Sequence, residues 1–306
     1  MKKLLLATSA MVLTAGAAAA EVSLSGSARM GIVHYSGGGS STTLFSSRVR
    51  VVFTLSGETD GGLSFGASVR HDQDDAGPGF GVAPGVFNGE NTVFISGAFG
   101  KLTMGDVSGA ADALVGQVSG VGYGPNDDTQ EINFLGTIKT AVYYEYSSGP
   151  VTFGVGVGQM DLGIDTYNIG VKYSDGGYSA AIAWETIDVG GSSIDMISLG
   201  GSATFGDVTV KARVSDLDIS GVDTAYALSV DYVAGPTTFT AFYTDYGNSS
   251  ILLNPYDSTD PDIAHIGLGV AYDLGGGATL AAGVTRQNNS ILNDVTIANA
   301  GLKFSF

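Results

Sequence analysis

Four of the chain's six arginines, Arg29, Arg48, Arg50 and Arg70, sit early in the sequence, each at a polar position in a run that alternates polar with apolar residues. A later stretch, 106–140, carries Asp106, Asp112, Asp127, Asp128 and Glu131 against Lys139. Guanidinium groups stay ionised when crowded, where amines would shift. Arginines facing carboxylates across a narrow gap of low dielectric would focus a field, order water and penalise apolar solutes. The competing reading is an ordinary solvated sheet face. A second chemistry is calcium binding: Asp72, Asp74, Asp75, Asp127, Asp128 and Glu131 offer hard oxygen ligands, though without EF-hand spacing. Asp257, Asp260 and Asp262 are a further acidic group that could meet divalent ions. Nucleophilic chemistry finds little support. Gly62-Leu63-Ser64-Phe65-Gly66 matches G-x-S-x-G, but it runs from a turn into a strand rather than from a strand into a helix. His34, His71 and His265 lie far apart without metal-ligand spacing, and no phosphate-binding loop appears.

The elements that must hold these residues are strands. Val22, Leu24, Ala28, Met30 and Ile32 alternate with Ser23, Ser25, Ser27 and Arg29; Phe45, Val49, Val51, Phe53 and Leu55 alternate with Ser46, Arg48, Arg50, Thr54 and Ser56. Period-two alternation places the two sets on opposite faces of a sheet. Short turn clusters fall at 57–62, 97–100, 147–150, 174–177, 206–207, 234–236 and 274–277, and longer polar stretches near 36–44, 72–90, 106–140, 159–166, 186–194, 215–223, 246–262 and 286–294. Seven short connections alternate with eight long ones, which predicts sixteen strands. The stretch 106–140 is too long for an ordinary hairpin loop and reads as functional.

The first twenty residues form a secretory leader: Lys2 and Lys3, a short apolar run, then Ala18-Ala19-Ala20 before Glu21. Its removal leaves 21–306 as one domain and takes the net charge from −17 to −19. Such acidity disfavours nucleic acid as a partner. There is no cysteine, so no disulfide supports the fold. Mean hydropathy is +0.23 although no apolar run after the leader approaches the roughly 18 residues of a membrane helix. Hydrophobicity spread over every second residue leaves a closed barrel as the way to satisfy the backbone in lipid. Short turns at one end and long loops at the other fit an outer-membrane barrel.

Aromatic residues beside the short turns, Phe53, Phe65, Tyr146, Phe153, Tyr173, Tyr178, Phe205, Tyr232, Phe239 and Tyr272, read as a girdle at the membrane–water boundary. Tyr35, Trp184 and Tyr243 mark the sparser opposite rim, while parity turns Tyr35, Tyr143 and Phe242 inward. The last strand alternates and ends on Phe306, as an outer-membrane assembly signal would.

Over nearly all of 21–306 the chain resembles the general porins of Gram-negative outer membranes, in particular the Rhodobacter-type branch. The likeness is carried by SSRVRVVFTLSGETDGGLSFGAS (46–68), SGAFGKLTMGD (96–106), YDLGGGATLAAG (272–283) and GLKFSF (301–306). It implies an all-β, 16-stranded antiparallel transmembrane barrel, a homotrimer, with the third long loop, about 106–140, folded into the lumen as a constriction. The expected function is passive diffusion of ions and small hydrophilic solutes across the Gram-negative outer membrane, with a mild cation preference from the acidic balance. No cofactor is required, and calcium is the one candidate. Outer-membrane lipids and lipopolysaccharide are the expected surroundings, with divalent ions bridging to the latter at Asp257, Asp260 and Asp262. A substrate-selective channel with a solute site in the lumen is the alternative; a membrane-embedded hydrolase and a soluble sandwich fit less well.

Overall fold

A computed structural model of the chain describes residues 21–74, 86–124, 129–135, 141–160, 164–189, 191–254, 260 and 262–306. The leader lies outside the described residues. Among them, strands β1 (Glu21–Gly37), β2 (Ser40–Glu58), β3 (Ser64–Asp74) and β4 (Val86–Gly97) form the first quarter of a wall. β5 (Gly100–Gly105), β6 (Ala141–Ser148), β7 (Val151–Met160) and β8 (Ile164–Asp175) form the second. β9 (Tyr178–Val189), β10 (Ser192–Phe205), β11 (Val208–Leu217) and β12 (Ala225–Ala234) follow, then β13 (Thr237–Gly247), β14 (Ile263–Gly275), β15 (Ala278–Asn289) and β16 (Val295–Ser305). Each strand pairs antiparallel with the next, and β16 returns to β1 in register from Ser27↔Ser305 to Gly37↔Val295. The sixteen expected strands therefore close, and no edge is left unpaired. Two short helices, α1 (Ala110–Val115) and α2 (Ser250–Leu253), sit in connections. No described helix is long and apolar enough to cross a membrane; the strands form the wall.

The two faces of that wall differ as the alternation requires. In β12, Tyr226, Leu228, Val230 and Tyr232 are exposed on one face while Ala225, Ala227 and Ser229 are buried on the other. All ten aromatic residues beside the short turns are exposed outward. Trp184 and Tyr243 are also outward, but Tyr35 is not: it packs inward against the cluster of Val33, Tyr123, Ala281 and Ile297. Phe45, Tyr167 and Tyr226 stand outward instead. An apolar surface this extensive is unfavourable in water and matches hydrocarbon.

Three of the expected long loops are short: in 159–166 pairing runs to Met160↔Ile164, in 186–194 to Val189↔Ser192, and the first, 36–44, is absent. β1 continues to Gly37 and β2 starts at Ser40, so the stretch 36–44 is a hairpin turning at Gly38 and Gly39. Both have positive φ (59° and 81°), the conformation that a two-residue turn demands and glycine tolerates. The Ser-Thr run that reads as loop is strand above the apolar band. At the other end the chain terminus closes the cylinder: Phe306 N–H donates to the Gly26 carbonyl at 2.9 Å, and its ring stacks on Phe304.

Candidate functional site

The connection after β5 leaves the wall at Asp106, whose carboxylate accepts from the Asn91 amide (3.1 Å) while its own amide donates to the Asn91 carbonyl. α1 has no capping side chain of its own; Asn168 Oδ1 on β8 accepts from the Ala110 amide at 2.6 Å and does that work from across the wall. Beyond the helix, the Ser119 amide donates to Ser229 Oγ (2.9 Å) and its hydroxyl to Asp231 (2.6 Å), both on β12. The Tyr123 amide then reaches Asn299 Oδ1 on β16 at 3.0 Å. The segment returns through 129–135. His265 Nδ1 donates to the Thr129 carbonyl, Thr244 Oγ1 to that of Gln130 (3.0 Å), and the Tyr246 hydroxyl to that of Glu131 (2.6 Å).

Reach decides on which side of the wall this path runs. From Ala110 at β8 to Tyr123 at β16 it spans half the sixteen strands. With α1 helical, the stretch extends at most roughly 36 Å. Half the circumference is about 38 Å within the sheet itself before tilt, and a path outside would need on the order of 50 Å. Only a chord through the interior is short enough. The inner face accommodates it with glycine: a Cβ at Gly283 would lie 2.6 Å from the Gly122 nitrogen, so the two backbones touch.

Between the segment and β9–β14 lies an apolar core that includes Val118, Ile132, Phe134, Met196, Leu253 and Ile263. Each fully buried side chain of this size contributes about 1.5–3 kcal/mol against water, more than the ~1 kcal/mol net of a typical hydrogen bond. The apolar contacts hold the segment; the polar ones set where it sits. Within this core stands Arg213 of β11, only 2% exposed. Its Nη1 donates to Gln117 Oε1 and to the Ile132 carbonyl (both 2.6 Å), Nη2 to the Asn133 carbonyl (3.3 Å) and Nε to Ser215 Oγ (3.2 Å). The guanidinium also lies over the Phe134 ring, 3.6 Å from its centroid. Glu185, Asp112 and Glu131 supply opposite charge nearby.

The basic wall is on the other side. Arg29 of β1 is directly opposite Arg48 of β2 and Lys303 of β16, so three cations form one row. Arg50 and Arg70 take a different place from the one expected. Both grip Asp72: Arg50 through Nε (2.8 Å) and Nη2 (2.7 Å), Arg70 through Nε (3.1 Å) and Nη2 (2.9 Å), and Arg70 also pairs with Glu90. Among the described residues, ion pairs along the wall engage these two. A cavity of about 430 Å³ separates Arg29, Arg48 and Lys303 from Gly120–Gly124 and Gln130 of the segment.

The acids of the segment divide accordingly. Asp106 stays at the β4–β5 rim, and Asp112 and Glu131 lie in the field of Arg213, across the interior from the arginine row. Asp127 and Asp128 lie outside the described residues. For calcium, Asp72 is corrected: its two oxygens are already occupied by two guanidiniums. The side chain of Asp74, and Asp75, Asp127 and Asp128, lie outside the described residues, and no group of three metal-binding side chains occurs among those described. Asp257 also lies outside them, while Asp260 is buried and bonded to protein, accepting from Ser290 Oγ (2.6 Å) and from the amides of Ser290, Ile291, Leu292 and Asp262. Arg213 escaped the sequence reading although it holds an inward position in β11. The available signal was its parity: Arg213 shares the inward face of β11 with Lys211 and Ser215.

The closed sixteen-strand wall is shared with known proteins. The family profile described as Gram-negative porin matches residues 7–292. The chain is a member of the Gram-negative porin family. The porin of Rhodobacter capsulatus is 33% identical over 94% of this chain and 100% of its own length. That of Fuscovulum blasticum is 29% identical over 69% of this chain and 90% of its own. Among solved structures, a porin refined at 1.8 Å superposes with a TM-score of 0.73 at 30% identity, covering 94% of this chain and 100% of that one. A triple mutant of the Rhodopseudomonas blastica porin shares the fold, with a TM-score of 0.71 at 24% identity over 93% of this chain and 100% of that one. This porin is thus a multi-pass protein of the outer membrane and forms a channel there.

Proposed function

We propose that the mature porin, 21–306, is a trimer whose barrels each hold a water-filled passage for passive diffusion of ions and small hydrophilic solutes, with a mild preference for cations. The observation that carries this reading is the unequal filling of the interior. The half toward β9–β14 holds the apolar core, with a smaller cavity of about 180 Å³ beside Gln117, Lys172, Lys211 and Arg213. The other keeps a polar gap of about 430 Å³ beside Arg29, Arg48 and Lys303, room for on the order of a dozen waters at ~30 Å³ each. Passive diffusion needs a shaped opening and a field, and neither a catalytic group nor a cofactor. The segment 106–140 narrows that opening, and the net charge of the mature chain sets the cation preference against the local arginine row. Outer-membrane lipid surrounds the apolar face, lipopolysaccharide the loop end, and the terminal Phe306 is the assembly signal.

Recordings from purified protein in a planar bilayer test this. Ohmic current, steps in groups of three and a reversal potential favouring cations in a salt gradient are expected. Current that saturates with one solute would replace the reading by a substrate-selective channel, and absence of conductance would end both.

A further inference from the structure

We infer that Arg213 is the positioning residue that fixes the width of the passage, by locking both limbs of the lumen segment to the wall opposite the arginine row. This rests on the reading that the segment narrows the channel. β11 stands five strands from β16, six from β1 and seven from β2, the three strands that carry the row. The outgoing limb reaches Arg213 through Gln117, the returning limb through the carbonyls of Ile132 and Asn133. Gln117 also binds the returning limb directly: its Nε2 donates to the Ile132 carbonyl (2.8 Å) and its Oε1 accepts the Ile132 amide (3.1 Å). One guanidinium thus closes a loop of bonds that no neutral side chain can reproduce, since the acceptors converge in the planar fork that arginine presents. Arg213 and Ile132 are buried, so the Ile132 carbonyl left without its donor would be poorly compensated by water. Phe134 over the guanidinium and the carboxylates of Glu185, Asp112 and Glu131 oppose part of the cost of burying the charge. The bonds to Asn168, Ser229, Asn299, Thr244 and Tyr246 each tie one limb to the wall at one place; Arg213 ties the two limbs together at one point of the wall, and through it sets their distance from Arg29 and Arg48.

The test replaces Arg213 by Met, similar in reach and uncharged, and by Lys, charged without the fork. Single-channel recordings of Arg213→Met should show several-fold more open-channel noise and frequent sublevels while the β-sheet circular dichroism stays that of the parent. Arg213→Lys should fall between the two. Because the chain has no cysteine, Ser119→Cys with Ser229→Cys, a pair in contact in the fold, can tie the segment to β12. Oxidation of that pair in the Arg213→Met background should quiet the channel, and reduction should restore the noise. If Arg213→Met does not form a barrel, Gln117→Leu, which breaks the link between the limbs, carries the same test. Quiet channels in the folded variants, or noise that survives the crosslink, would overturn the inference. A parent protein that does not conduct would instead remove the diffusion reading, and this inference with it.

Discussion

Asp260 shows how one side chain can tie two loops together. Burial opposes its ionisation, but the Ser290 hydroxyl and the amides of Leu292, Ile291 and Asp262 outweigh that and hold its carboxyl well below the usual carboxylate range. Ser250 Oγ adds a bond to its carbonyl. A carboxylate with a depressed folded pKa stabilises the native state fully above the unfolded value near 3.9, and that contribution drains away as pH falls below it toward the folded value. The tie between the β13–β14 and β15–β16 connections should therefore be intact at neutral pH and fail only in strong acid. Hydrogen exchange at the amides of 290–292 should stay slow from about pH 7 to pH 4. In Asp260→Asn the same amides should exchange faster at every pH, since hydrogen bonds to a charged acceptor contribute about 1.5–3 kcal/mol against ~1 for neutral ones. Unchanged exchange in that variant would show that the loops are held by something else.

At the level of elements, the wall was legible and the segment's seat on it was not. Alternation is local, and lipid on one face and water on the other enforce it, so the outward Val, Leu and girdle residues could be placed from sequence. Where both faces meet water the signal lapses, which is why the tops of β1 and β2, with Ser41, Thr42 and Thr43, read as a loop. Parity puts Arg29, Arg48, Arg50 and Arg70 on the face opposite the exposed Met30, Val49 and Val69. It could not reveal that Asp72 would claim two of them, or that Arg213 would draw Asp112 and Glu131 to the opposite side, because such contacts cross strands and lumen rather than following the chain. The seat depends on backbone contact at Gly283, where an added methyl would meet the Gly122 nitrogen at 2.6 Å and its Cα at 2.9 Å. Gly283→Ala should leave strand pairing in β15 intact and push the segment away from it. The readout is conductance: the step should change in Gly283→Ala at constant barrel stability. A step equal to the parent's would mean that 120–124 does not bound the conducting path.

For the whole molecule the open question of charge is which scale governs the ions that pass. Residues 21–306 carry −19 in all, whereas the row Lys303–Arg29–Arg48 borders the cavity itself. Distant charges are screened beyond a Debye length of about 10 Å at 0.1 M salt and about 3 Å at 1 M, while charges in a narrow gap of low dielectric are screened less. The two contributions oppose each other, so their balance must depend on salt. Replacing Arg29 and Arg48 together by Gln removes two positive charges from the opening and leaves the loops unchanged. Reversal potentials should shift toward stronger cation preference, on the order of twofold in permeability ratio if each removal is worth a few tenths of a kcal/mol in the opening. Part of that shift should persist at 1 M, where the loop charges no longer act at a distance. If the shift vanishes with salt as fast as the parent's own preference does, the arginine row lies in bulk water and not on the path. If it persists, the local field of these side chains acts on the path itself and limits the cation preference that the net charge of the chain sets.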